Sequence, residues 1–193
     1  MTDTIGVVRH GEFSEMLQLA RPGDQLFQWN TKPLSYLIEE FTERTVNGKE
    51  EPGPSHVIQL ANFPAFSDEM YHFEAVFPEG CRLLPLSHYA QSTSRMLLCR
   101  RKGWTERDTA IASGVGLACL GRKYEVPEEI EIAIRKIAPW VHVSKTDNSF
   151  FCSGYVHHMD AGTSVPYAQP PEGNATPEFL LRDAGNEYVF WVN

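Results

Sequence analysis

Met70-Tyr71-His72-Phe73-Glu74-Ala75-Val76-Phe77 alternates along its length. Tyr71, Phe73 and Ala75 share one face, and His72, Glu74 and Val76 share the other. A period of two over such a run predicts a strand with a different environment on each side. Apolar, partly β-branched runs bracket it at residues 55–60, 82–86 and 95–100. Residues 62–69 carry turn chemistry, and Ser87-His88-Tyr89 separates the last two runs. Short successive strands with tight connections predict an antiparallel sheet. Upstream, Arg21-Pro22-Gly23-Asp24 reads as a turn leading into a strand over 25–29. Residues 13–20 suit a short helix. Thr31 and Pro33 open a helix over 33–43 that places Leu34, Leu37, Ile38 and Phe41 on one face. Residues 44–54 read as a polar loop.

The second half turns helical. Thr105 with Asp108 predicts a capped start for a helix that runs to Leu120 and stops at Gly121. Its Ala110, Ala112, Gly114, Gly116 and Ala118 would let another element come close. Residues 127–138 predict a second helix, acidic at its start and basic near its end, as the helix dipole favours. A third helix is expected from Cys152 to about Met159, and a closing strand over 187–192. Strands, then helices, then one strand give an α+β fold with helices on an antiparallel sheet. The chain reads as a single domain over 1–193, with 1–20 as an N-terminal extension and 160–177 as a Gly/Pro-rich loop.

The chain has 193 residues, 25 Asp plus Glu against 17 Lys plus Arg, and a formal charge of −8. That length permits a sizeable core. The balance lacks the basic footprint of a nucleic-acid binder, so nucleic acid is not expected as a partner. No stretch approaches the roughly 20 apolar residues of a membrane span, so no transmembrane segment is expected. The opening Met1-Thr2-Asp3-Thr4-Ile5-Gly6 has no secretory pattern, so synthesis in the cytoplasm without a signal peptide is expected. The four cysteines, Cys81, Cys99, Cys119 and Cys152, form no CxxC pair, and no HExxH occurs. Neither a disulfide framework nor a metal or other cofactor is expected.

Cys152 stands where a loop passes into a helix. There the positive end of the dipole and free backbone N–H groups favour a thiolate and would stabilise an oxyanion. A small buried thiol fits the position equally well. Cys99 and Cys119 sit inside apolar elements, and Cys81 follows Gly80 in a turn without a visible activator. Of the seven histidines, His10, His88 and His142 have no evident partner. His157 and His158 lie off the face of a helix beginning at Cys152. His56 opens an apolar strand after Pro52-Gly53-Pro54-Ser55. Glu74 is a carboxylate in an apolar strand, costly there unless it is paired, although a half-exposed sheet could turn it to solvent. His72 shares its face, and either side chain could hold the His56 ring.

These residues occur in a recognisable order. Pro22-Gly23-Asp24-Gln25-Leu26-Phe27, Ser55-His56-Val57-Ile58, Phe73-Glu74-Ala75-Val76 and Cys81-Arg82-Leu83-Leu84-Pro85-Leu86-Ser87 come first. Leu120-Gly121-Arg122-Lys123-Tyr124, Phe151-Cys152-Ser153-Gly154-Tyr155-Val156 and Ala175-Thr176-Pro177-Glu178-Phe179-Leu180 follow. Together they resemble the circularly permuted NlpC-type papain-like cysteine peptidases, the group that includes the YiiX-like hydrolases. The chain is more distantly similar to lecithin retinol acyltransferase.

The resemblance implies a permuted papain-like core with the nucleophile at a helix N-terminus. It makes Cys152 the nucleophile, His56 the base and Glu74 the orienting group, with His72 as the alternative third residue. Asp24, Ser55, Ser153 and Tyr155 fall in structural or cleft positions. Gly154 departs from the family, which commonly has Glu there. The implied activity is amide hydrolysis in peptidoglycan stem peptides. A phage lytic enzyme, or a toxin delivered to a target cell's periplasm or wall with an immunity protein as partner, would supply a route to that substrate. A lipid or thioester acyl hydrolase or acyltransferase, and a catalytically silent binding module, are the alternatives.

Overall fold

The computed structural model describes residues 8–29, 44–46, 49–51, 53–125, 150–170 and 175–192. In chain order these form β1 (Arg9–Gly11), α1 (Phe13–Leu19), β2 (Gln25–Trp29), β3 (Arg44–Val46) and β4 (Lys49–Glu51). Then come β5 (His56–Asn62), β6 (Met70–Val76), β7 (Gly80–Pro85), a 3-10 turn (Leu86–Tyr89) and β8 (Arg95–Arg101). The remainder is α2 (Glu106–Ala118), α3 (Cys152–Asp160), α4 (Pro177–Leu181) and β9 (Asn186–Val192). The helices expected over 33–43 and 127–138 lie outside the described residues.

Seven strands make one sheet in the order β1-β9-β8-β2-β5-β6-β7. Every pairing is antiparallel except β1 with β9, which is parallel. The fold is therefore α+β with a mixed sheet, a correction to the purely antiparallel expectation. The parallel pair arises because β1 lies at the start of the chain and β9 at its end, so no hairpin constrains their direction. Residues 9–19, read as an extension, supply that edge strand and also α1, whose Met16 is fully buried. The polar loop expected over 44–54 contains the β3–β4 pair, with Thr45 opposite Glu50. Asn47-Gly48, a strong two-residue hairpin signal, stands between them in the sequence. The loop expected over 160–177 gives way to α4, which is capped by Thr176 accepting from Phe179 N–H and has Pro177 in its first turn.

The alternation of the strands sorts the core. On one face Leu26, Ile58, Leu60, Leu98 and Phe190 pack with Met16 of α1. On the other, Phe27, Val57 and Leu97 meet Val156 of α3 and Leu180 of α4. Further along that second face Phe73 and Ala75 meet Ala112 of α2 and Tyr155 and Met159 of α3. The small residues of α2 permit this contact. A Cβ on Gly116 would stand 2.9 Å from both Met159 Cε and Phe73 Cε1. The Tyr155 hydroxyl donates to the Gly116 carbonyl at 2.7 Å. Burying side chains of this size contributes roughly 1.5–3 kcal/mol each, and it fixes α3 against β5 and β6.

Candidate active site

The first residue of α3 is Cys152. Its N-cap, Phe151, provides no side-chain hydrogen bond, so the first turn keeps backbone donors that Ser, Thr or Asp would otherwise occupy. The sulfur takes that place, accepting from the backbone N–H groups of Ser153 and Val57. Val57 belongs to β5, so the sulfur lies where the start of α3 meets the start of β5. His56, the first residue of β5, hydrogen-bonds the same sulfur.

The His56 ring also reaches Glu74, with Nε2 3.2 Å from Oε2. Glu74 is 1% exposed and holds several partners. Tyr89 Oη donates to Oε2 at 2.7 Å, and Arg82 Nε donates to Oε1 at 2.7 Å. His72 Nε2 stands 3.6 Å from Oε1, beyond a hydrogen bond. The carboxylate thus contacts His56, and the second imidazole lies behind it. Among the described residues, neither ring nitrogen of His72 has a hydrogen-bond partner.

The electrostatics follow from this geometry. Burial alone would push the His56 pKa down, but the Cys152 sulfur and then Glu74 outweigh burial and raise it. Burial would likewise push the Cys152 thiol up, but His56 and the two backbone N–H groups bring it below its ordinary value. Burial opposes ionisation of Glu74 too, yet contact with His56 and His72 holds it well below the usual carboxylate range. His72 shifts downward because burial dominates. These directions favour a thiolate, an imidazolium and a carboxylate in series. The other three thiols move the opposite way: burial pushes Cys81 up to about 12 and raises Cys99 and Cys119.

The remaining residues expected near the site serve packing. Asp24 takes a bidentate pair from Arg100, 2.8 Å from Nε and 2.7 Å from Nη2, at the far end of β2. Ser55 and Ser153 are buried, and Tyr155 anchors α3 to α2. At Gly154 the Phe151 ring fills the position a side chain would take, 2.9 Å from where a Cβ would stand. His157 contacts the Ala168 carbonyl, and the His158 ring lies tilted against Phe150 with centroids 4.9 Å apart. Sequence reasoning missed Arg82 and Tyr89. Arg82 was legible, because a hairpin that sets Val76 opposite Gly80 sets Glu74 opposite Arg82. A cleft of about 810 Å³ lies elsewhere, between Asn62 at the far end of β5 and one side of α2. Its lining includes none of Cys152, His56 and Glu74, so volume and chemistry point to different ends of the sheet.

No family model matches the chain, and neither does any curated protein. Among solved structures the fold is similar to that of YiiX from Escherichia coli O157:H7, described as a metalloprotein of DUF1105. The TM-score is 0.57 at 14% identity, covering 88% of this chain and 96% of that one. At that identity the likeness is one of fold, and it accords with the YiiX-like order of sequence blocks.

Proposed function

We propose that this chain is a cysteine hydrolase of permuted NlpC-type papain-like architecture that cleaves amide bonds in peptidoglycan stem peptides. One observation carries the reading. The His56 ring bridges the sulfur at the uncapped start of α3 and a buried carboxylate. That is the relation of nucleophile, base and orienting group that acyl transfer requires.

In this reading the Cys152 thiolate attacks the amide carbonyl, forming a C–S bond and an oxyanion. Backbone N–H groups at the start of α3 stabilise the oxyanion. His56 gives its proton to the leaving nitrogen as the C–N bond breaks. Water, deprotonated by His56, then attacks the acyl carbon, and the C–S bond breaks to release the acid and restore the thiolate–imidazolium pair. Glu74 keeps the ring oriented and stabilises its charge. The solved neighbour is described as a metalloprotein. In this chain no group of three or more His, Cys, Asp or Glu is placed to hold a metal among the described residues, and no step is routed through one. The preference for stem peptides rests on the sequence resemblance.

The test is mass spectrometry of murein digested with wild type and with Cys152→Ala side by side. Fragments cut within the stem peptide by wild type alone are expected. Intact murein alongside cleaved acyl esters would move the assignment to lipid or thioester chemistry.

A further inference from the structure

Arg95 opens β8 directly opposite Trp29 of β2, and two residues on Leu97 lies opposite both Phe27 and Trp191. Antiparallel partners share a face. Arg95, Trp29 and Trp191 therefore project from the face that carries Phe27, Val57 and α3. They also stand at the Cys152 end of the sheet, because Gln28, next to Trp29, is opposite His56.

The guanidinium carbon of Arg95 stands 4.2 Å over the Trp191 ring and 5.3 Å over Trp29. The two indoles lie 5.2 Å apart. Cation–π attraction holds the planar group in place, yet Arg95 is exposed and makes no ion pair among the described residues. In a chain with eight more carboxylates than Lys plus Arg, 25 against 17, this cation has no acidic partner among the described residues. A guanidinium held against an indole by one face can still present its edge, and that edge matches a carboxylate bidentately. Ordering it beforehand removes much of the entropy cost of binding.

Two strand spacings separate β8 from β5, roughly 10 Å. An extended peptide covers that with about three residues. We propose that Arg95, stacked on Trp191 and flanked by Trp29, is a subsite for a free carboxylate of the substrate, about three residues from the bond attacked at Cys152. This deepens the hydrolase reading and rests on it for the position of that bond.

The probe is a pair of synthetic stem tetrapeptides, one with free carboxylates and one with each converted to a carboxamide. Binding is measured by titration calorimetry on Cys152→Ala, and turnover on the enzyme with Cys152 intact, each alone and with Arg95→Gln or Arg95→Lys. The acid is expected to bind about tenfold or more tighter than the amide. That ratio should fall to about one with Arg95→Gln and stay intermediate with Arg95→Lys, which keeps the charge and loses the fork. Equal binding of both peptides, or a preference that survives Arg95→Gln, overturns the subsite. An Arg95-dependent preference without turnover of either peptide supports the subsite and defeats the hydrolytic reading.

Discussion

Glu74→Gln isolates the electrostatic part of the candidate site, because it keeps the shape and one acceptor oxygen and removes the charge. Glu74 Oε2 lies 3.2 Å from His56 Nε2, with the two side chains 1% and 12% exposed. At an effective dielectric of about 20, two unit charges at that distance interact by about 5 kcal/mol. Two corrections follow. The Gln oxygen still accepts a hydrogen bond, which reduces the loss. Arg82, 2.7 Å from the other carboxylate oxygen, already offsets part of the negative charge, and it would face the imidazolium uncompensated after the substitution. Taking roughly half gives about 2.5 kcal/mol, or about two pKa units.

The sign is fixed by the directions described above. Losing the carboxylate lowers the His56 pKa, and the thiol that shares its hydrogen bond must then rise. The assay is the rate of Cys152 alkylation by iodoacetamide as a function of pH, with Cys152→Ala giving the background from the buried thiols. In wild type the acidic limb should lie below the ordinary thiol value, and in Glu74→Gln it should move up by about two units. On the acidic side of both limbs that slows labelling by roughly 100-fold. Superimposable profiles for the two proteins would refute the claim that Glu74 supports the ion pair. A wild-type limb at the ordinary thiol value would refute the ion pair itself.

Three further outcomes are expected. Asp24→Asn leaves Arg100 facing a half-lost partner and should cost about 3 kcal/mol of unfolding free energy in denaturant titration, with the Cys152 alkylation profile unchanged. Asp160, fully buried on α3, has its carboxyl pushed up to about 6, chiefly by burial. The folded state thus favours its protonated form, an advantage fully present below the unfolded value of 3.8 and lost as pH rises through about 6. Asp160→Asn should accordingly gain on wild type by about 3 kcal/mol between acidic and neutral pH. Denaturation at the two pH values checks this, and an unchanged difference would count against it. Gly154→Ala should destabilise the protein by roughly 1–3 kcal/mol, read as a lower thermal midpoint, because the new Cβ meets the Phe151 ring at 2.9 Å.

The strands were legible wherever the chain alternates. Residues 55–62 and 70–76 face a core on each side, and a period of two survives any error of a residue or two at the ends. β1 was not legible, because a three-residue edge strand owes its place to β9 at the other end of the chain. β3 and β4 were hidden by composition. Strand pairing can satisfy the backbone without apolar side chains, so charge density is a poor argument against a hairpin when Asn-Gly stands in the middle. α4 was hidden by length, since five residues are too few for periodicity to show. Its Thr-Pro start falls at the end of the stretch whose composition reads as a Gly/Pro-rich loop.

For the site, the burial cost of a carboxylate in an apolar strand was the most informative signal, because it depends on no motif. Sequence could say that Glu74 needed a partner, and it could not say which of His56, His72 or solvent would serve. That choice depends on how β5 and β6 are offset. The observed register sets Leu60 opposite His72, which continues the pairing so that Glu74 falls opposite Ile58, one pleat from His56. The long Glu74 side chain covers that step, while His72 is left behind it near Tyr89. A two-residue slip along β6 would preserve every buried face yet change which side chain lies one pleat from His56: His72 would take the place opposite Ile58, with Glu74 directly opposite His56. The identity of the orienting group is therefore a property of strand register, which residue types on a single chain do not encode locally.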